Sequence, residues 1–118
     1  MIMKLLIVDD NSGMRALIRN LCSNYFTEIF ECSDGDEAVY DSANEKPDWI
    51  IMDFKMNKMD GITASKLIVN SNSEVKIIIV SQYNDEIIRE ASIKSGAIAF
   101  VEKENLTNII EIINNHYQ

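Results

Sequence analysis

The stretch LLIVDDN, residues 5–11, decides how the chain is interpreted. Four apolar residues run directly into two adjacent aspartates, Asp9 and Asp10, and no basic residue follows within the next four positions. Two carboxylates about 4 Å apart repel each other by roughly 4 kcal/mol at an effective dielectric constant near 20. A buried strand that ends in such a pair indicates that a cation binds at its end.

Length and composition limit the class of protein. The chain has 118 residues, so we predict a single domain over residues 1–118. Hydrophobic residues make up 47% and charged residues 25%, the balance of a globular protein. No apolar run is long enough to span a membrane and no signal-peptide pattern begins the chain, so we expect a cytoplasmic protein. The net charge of −8 argues against direct binding to nucleic acid or anionic membranes.

The cysteines and the histidine indicate neither a disulfide nor a zinc site. Cys22 lies on the apolar face of a predicted helix, and Cys32 lies near the end of a predicted strand, so both are expected to pack unpaired. His116 is two residues from the last position and is expected to be solvated.

Apolar runs alternate with segments of helical period along the whole chain. The predicted strands cover residues 5–8, 29–32, 49–52, 75–80 and 97–101. The first helix should bury Met14, Leu17, Ile18, Leu21 and Cys22, with Ser12 as its cap, and the last should bury Leu106, Ile109, Ile110 and Ile113. Weaker helical patterns cover residues 38–43, 64–68 and 87–91. Continuous apolar strands are typical of a parallel sheet covered on both faces, so we predict an α/β fold with five strands and five helices.

Reactive side chains follow four of the five predicted strands. Asp9 and Asp10 follow the first strand, Asp53 the third, Ser81 the fourth and Lys103 the fifth. Parallel sheets gather function at the carboxyl ends of their strands, so these groups should share one edge. Clustered carboxylates are ligands that Mg²⁺ prefers, and the lysine and the hydroxyl suit two oxygens of a phosphoryl group. The edge is therefore a candidate magnesium and phosphoryl site.

Four segments, in this order, resemble the receiver domain of two-component response regulators over nearly the whole chain. They are VDDN at 8–11, IIMDFKMNKMDG at 50–61, IIIVSQYND at 77–85 and SGAIAFVEK at 95–103. The resemblance implies a flavodoxin-like, doubly wound sheet with strand order 2-1-3-4-5 and helices on both faces. It also implies a phospho-acceptor domain that is not an enzyme beyond catalysing its own phosphorylation and dephosphorylation.

The resemblance assigns a role to each candidate residue. Asp53 would be the phospho-acceptor, and Asp9, Asp10, Asp53 and the backbone carbonyl of Lys55 would hold Mg²⁺. Ser81 and Phe100 would be the switch hydroxyl and aromatic residue, and Lys103 the lysine that contacts the phosphoryl group. Lys55 and Tyr83 would flank the path of attacking water, with Gln82 beside them.

Three positions depart from the family pattern. Asn57 replaces a usual proline, which predicts a looser loop after Asp53. Glu104 replaces the usual proline after Lys103, so a trans peptide bond is expected there, because a non-proline cis bond costs about 3–4 kcal/mol. Gln82 replaces a usual small residue and is expected to narrow access to the acceptor or to restrain the switch.

The implied partners are a histidine kinase or histidine phosphotransfer protein, and an output domain or downstream protein. The output would read the surface of the fourth helix, fifth strand and fifth helix, which phosphorylation would shift between two packings. The last predicted helix ends near Gln118, which suits a stand-alone regulator and equally a receiver within a longer protein.

Three other classes of protein share part of this pattern. A phosphatase of the haloacid dehalogenase type needs DxD after the first strand, where this chain has Asn11. A flavodoxin-like cofactor carrier would need a phosphate loop less acidic than DDNSG. A pseudo-receiver, which docks partners without being phosphorylated, remains the main alternative.

Overall fold

A five-stranded parallel sheet forms the centre of the structure, a computed structural model that describes residues 3–117. Its strands are β1 (Lys4–Val8), β2 (Glu28–Cys32), β3 (Trp49–Asp53), β4 (Lys76–Ser81) and β5 (Ala99–Glu102). The helices are α1 (Ser12–Cys22), α2 (Gly35–Glu45), α3 (Gly61–Ser71), α4 (Glu86–Lys94) and α5 (Asn108–His116), and a 3-10 helix covers Lys103–Asn105. The strand order is β2-β1-β3-β4-β5, which confirms the predicted topology.

Helices cover both faces of the sheet. Side chains of β1 point alternately to the two faces, and each face carries its own hydrophobic cluster. Leu5 and Ile7 belong to the first cluster, and Leu6 and Val8 belong to the second. The first cluster contains core residues of α1 and α5, and the second contains those of α2 and α3, with α4 packed beside it through Ile88. This arrangement confirms the prediction made from the continuous apolar strands.

Several local predictions were wrong. Asn11, and not Ser12, caps α1, because its side-chain oxygen accepts the Met14 N–H at 2.9 Å. Leu17 was expected on the buried face of α1 but is 47% exposed. Strand β5 begins at Ala99 rather than at residue 97, because the Ala97 N–H donates to the Ser92 carbonyl at the end of α4.

The far end of the sheet, away from the strands' carboxyl ends, carries an aromatic group. The Trp49 indole N–H donates to the Tyr117 hydroxyl at 2.9 Å, and the exposed His116 ring lies edge-on to Trp49. Cys22 and Cys32 are buried and unpaired, as expected. Across residues 3–117 every peptide bond is trans, including the one after Lys103, and none of the helices has the length and apolar character needed to cross a membrane.

Candidate functional site

The carboxyl ends of β1, β3 and β4 bring the predicted site residues together. Asp9 directly follows β1, whereas Asp53 and Ser81 are the last residues of β3 and β4. Lys103 begins the 3-10 helix after β5 and reaches back across the sheet edge. The prediction that these side chains share one edge is confirmed.

Three carboxylates form a tight acidic cluster at this edge. One oxygen from each of Asp9, Asp10 and Asp53 lies within 4.8 Å of the others. Asp9 and Asp53 are only 1% and 4% exposed, whereas Asp10 is open to solvent. Two buried carboxylates with a third at the rim match the oxygen ligands that Mg²⁺ takes, with room for water on the open side. The residues therefore fit a magnesium ion.

Lys103 is the basic residue that forms ion pairs with the acidic cluster. Its Nζ lies 3.2 Å from Asp9 Oδ2 and 3.1 Å from Asp53 Oδ1, so one ammonium group is shared by two buried carboxylates. Burial alone lowers the pKa of Lys103, but the charges of Asp53 and Asp9 outweigh burial and hold that pKa above its ordinary value. Lys103 is therefore fully charged at neutral pH.

The single ammonium does not balance the acidic cluster. Burial, followed by the charge of Asp9, raises the pKa of Asp53 from 3.8 to about 6, although Lys103 acts in the opposite direction. An ionised Asp53 is thus costly in the metal-free protein. A divalent cation at the cluster would offset that cost, which is a second reason for the fit to Mg²⁺.

A network that the sequence did not predict orients Asp9. The Asn11 N–H donates to Asp9 Oδ1 at 2.9 Å, and Arg15 Nη1 donates to the Asp9 backbone carbonyl at 2.7 Å. The carboxylate of Glu31, on the neighbouring strand β2, accepts a hydrogen bond from Arg15 Nε at 3.0 Å. Arg15 is half-buried and lies one turn before the buried Ile18 of α1, but a single arginine in the sequence does not indicate which carbonyl or carboxylate it will contact.

A cleft of about 230 Å³ opens over Asp53. Lys55, Gln82 and Tyr83 line it, and the Lys55 Nζ lies 5.9 Å from the centroid of the Tyr83 ring. A hydrogen bond with Gln82, and then the charge of Lys55, lower the pKa of the Tyr83 hydroxyl. The Ser81 Oγ faces the same cleft and accepts the Tyr83 N–H at 3.0 Å. The residues predicted to flank the acceptor therefore surround it.

Phe100 lies in β5, which β4 separates from the acceptor strand β3. Its ring is 8% exposed and belongs to the hydrophobic cluster beneath α2, α3 and α4. The Arg89 guanidinium of α4 lies 4.7 Å from the ring centroid, and Arg89 Nη2 is 3.9 Å from Glu102 Oε1. The two methionines beside the site pack rather than act, since Met56 is buried and Met59 lies against the same cluster.

Comparisons with known proteins agree with the fold and identify a family. A family model for the response regulator receiver domain matches residues 5–114. The chemotaxis protein CheY of Bacillus subtilis is 34% identical over 113 residues, which cover 94% of each chain. Sporulation initiation phosphotransferase F of the same organism is 29% identical over 100 residues, covering 85% of this chain and 81% of the relative.

Solved structures share the same architecture. The response regulator domain of Thermotoga maritima CheB matches with a TM-score of 0.83 and 27% identity, over 98% of this chain and 96% of that one. For the CheX–CheY–BeF3–Mg+2 complex of Borrelia burgdorferi the TM-score is 0.89 at 24% identity, over 98% and 90% of the two chains, a likeness of fold. The chain belongs to the family of response regulator receiver domains, the phospho-acceptor domains of two-component signalling.

Proposed function

We propose that Asp53 accepts a phosphoryl group from a histidine kinase or a histidine phosphotransfer protein in the cytoplasm. The observation that carries this proposal is the position of Asp53, a buried carboxylate that opens into a cleft beside Lys103 and two further carboxylates. Asp9, Asp10, Asp53 and the backbone carbonyl of Lys55 would hold Mg²⁺ there. When bound, the ion supplies positive charge to the phosphoryl oxygens.

Side chains of the protein itself supply the nucleophile and stabilise the transferred group. Lys103 binds Asp53 Oδ1, which leaves Oδ2 as the nucleophile. A P–O bond forms from Oδ2 as the P–N bond to the donor histidine breaks, and the electron pair leaves with the imidazole, which is then protonated. Lys103 and the Ser81 hydroxyl stabilise charge on two phosphoryl oxygens. In this scheme the chain catalyses only its own phosphorylation and dephosphorylation.

The acyl phosphate then changes the packing of the neighbouring strands. Ser81 turns from the Tyr83 N–H toward the phosphoryl group, and Phe100 moves into the space that Ser81 leaves. This movement alters the surface formed by α4, β5 and α5, which an output domain or a downstream protein reads. The phosphoryl group binds one packing better than the other, so it shifts their populations.

The test is chemical labelling with acetyl phosphate, followed by intact mass measurement. With Mg²⁺ present the wild type should gain one phosphoryl group, and with EDTA it should gain none. Asp53→Asn should abolish labelling and Lys103→Ala should slow it. Asp85→Asn is the control, because Asp85 caps α4 through the Ile87 N–H and does not line the cleft.

Two outcomes would contradict the proposal. Full labelling of the Asp53→Asn variant would move the acceptor to another residue. A wild type that stays unlabelled at saturating Mg²⁺ would instead support the pseudo-receiver, which docks partners without phosphorylation.

A further inference from the structure

The loop between β3 and α3, residues 54–60, is called here the acceptor loop. Its base is closed, because the Gly61 N–H donates to the Phe54 carbonyl at 2.8 Å and the Phe54 N–H donates to the Val80 carbonyl at 2.9 Å. Lys55 and Asn57 in its first half line the cleft over the acceptor. With Asn57 in place of proline, no ring restrains the backbone at that position. The part of the loop after Asn57 therefore needs another restraint.

Asp34 supplies contacts to that part of the loop. Its Oδ2 accepts the Lys58 N–H and its Oδ1 accepts the Met59 N–H, both at 3.0 Å. Asp34 precedes α2 as its N-cap residue, yet its side chain makes no capping hydrogen bond to that helix. Both carboxylate oxygens are instead used on a segment 24 and 25 residues further along the chain. Asp34 is thus a helix-start residue whose side chain serves another element.

The start of α2 also contacts the acceptor loop through its backbone. A Cβ atom added at Gly35 would collide with the Met59 carbonyl oxygen, so only glycine allows this approach. Asp34 itself is 8% exposed. Burial raises the pKa of Asp34, but the backbone N–H groups of Lys58 and Met59, together with those of Gly35 and Asp36, outweigh burial and hold that pKa below its ordinary value. The carboxylate is therefore ionised at neutral pH, and its two bonds are charge-assisted.

We infer that Asp34 is a positioning residue, which fixes the acceptor loop that carries Lys55, whose backbone carbonyl is a proposed metal ligand. The part of this inference that concerns Mg²⁺ rests on the proposed function. Asp34 touches no reacting atom and lies outside the acidic cluster. Its effect passes through two backbone N–H groups to a loop that carries one proposed metal ligand.

The chemistry of the side chain predicts a graded series of variants. Asp34→Ala removes both hydrogen bonds to the loop. Asp34→Asn keeps one of the two hydrogen bonds, because its amide oxygen can accept one N–H. Its NH₂ group is a donor and cannot accept the second N–H. Partners that orient metal ligands typically change metal affinity by 10–100-fold when removed, so Asp34→Ala should weaken Mg²⁺ binding about tenfold. Asp34→Asn should fall between it and the wild type.

Asp48→Ala is the matched control. The Asp48 carboxylate also accepts a backbone hydrogen bond, from the Lys4 N–H at 2.8 Å, and is also partly buried. It lies just before β3, at the opposite end of that strand from Asp53. This variant should lower the melting temperature as Asp34→Ala does, without changing the acceptor loop.

Three measurements test the inference on the intact chain. Calorimetric titration gives the Kd for Mg²⁺, and labelling by acetyl phosphate below saturating Mg²⁺ gives the rate at Asp53. Amide hydrogen exchange at residues 55–60 reports the loop directly, independently of phosphorylation. In Asp34→Ala we expect weaker Mg²⁺ binding, slower labelling that excess Mg²⁺ restores, and faster exchange in the loop.

The outcomes separate this inference from the proposed function. Unchanged Mg²⁺ affinity and loop exchange in Asp34→Ala would overturn it, as would an equal loss of affinity in Asp48→Ala. If the wild type neither binds Mg²⁺ nor is labelled, the proposed function fails. Hydrogen exchange in the acceptor loop alone then tests whether Asp34 anchors that loop. Faster exchange confined to residues 55–60 would then support the anchoring by Asp34, and unchanged exchange would refute it.

Discussion

Replacing Asp53 by asparagine should stabilise the metal-free protein, although it removes the proposed acceptor. Burial and the neighbouring Asp9 raise the pKa of Asp53 from 3.8 to about 6. A shift of about two pKa units corresponds to about 3 kcal/mol, the cost of keeping this carboxylate ionised in the folded protein at pH 7. Asparagine avoids that cost but weakens the bond to Lys103, so the expected net gain is about 1–2 kcal/mol.

The gain should depend on pH with a definite sign. Because its folded pKa lies above its unfolded pKa, Asp53 binds more protons in the folded state between pH 3.8 and about 6. Its contribution to stability is therefore largest below that window and is lost as the pH rises through about 6. Lowering the pH from 7 to 5 should restore about 1.4 kcal/mol to the wild type, which narrows its difference from Asp53→Asn.

Urea denaturation in EDTA, at pH 7 and at pH 5, measures both effects. Trp49 is fully buried at the opposite end of β3 from Asp53, so its fluorescence reports the unfolding of Asp53→Asn without contact with the substituted residue. Asp48→Asn is the control, since it removes the same charge but weakens the bond from the Lys4 N–H. The Asp48→Asn substitution should therefore destabilise the protein.

The comparison of the two variants refutes or supports the reasoning. If both variants stabilise equally, the cause is the net charge of −8 and not the acidic cluster. If Asp53→Asn destabilises the metal-free protein, or if its gain is the same at both pH values, the charge of Asp53 is not costly in the fold.

Three further predictions concern the same edge of the sheet. In thermal melts at constant ionic strength, Mg²⁺ at a hundredfold excess over its Kd should stabilise the wild type by about 2.7 kcal/mol, and it should stabilise Asp10→Asn by less. A melting temperature of the wild type that does not change with Mg²⁺ would contradict the metal site. Replacing Lys55 by Asn and Tyr83 by Asp together should speed loss of the phosphoryl group from Asp53, because both side chains flank the cleft that attacking water must enter. Equal rates in a decay time course with Mg²⁺ would refute this shielding. Gly61→Ala should lower the free energy of unfolding in urea by about 1–3 kcal/mol, because the added Cβ would collide with the Asp53 carbonyl oxygen. An unchanged free energy of unfolding would show that the backbone of Gly61 does not lie so close to that oxygen.

Much of the fold could be predicted because two of its signals are local. The apolar runs and the helical spacings identified five strands and five helices, and the strand ends identified Asp9, Asp53, Ser81 and Lys103. The gathering of these residues followed from the parallel sheet, whose strands all end at one edge. The strand order needed the family resemblance, because periodicity carries no information about which strands are neighbours.

The contacts that hold the site in place could not be predicted in the same way. The two oxygens of Asp34 accept hydrogen bonds from N–H groups more than twenty residues away, and the Arg15 side chain of α1 donates to the Asp9 carbonyl. Such bonds depend on which segments meet in the folded structure, and the spacing of residues along the sequence does not indicate this. The exposure of Leu17 has a similar cause, since α1 presents only part of its apolar stripe to the sheet.

The position of Arg89 links an aromatic ring to a pattern of surface charge. Its guanidinium lies over the Phe100 ring and also approaches Glu102, so the movement of the ring that we propose would displace the arginine. The contact with the ring is worth about 0.5–1 kcal/mol at a partly exposed site, so its loss would oppose the proposed movement of the ring by about that amount. A partner that senses the charges of Arg89 and Glu102 would then respond to the buried ring without touching it.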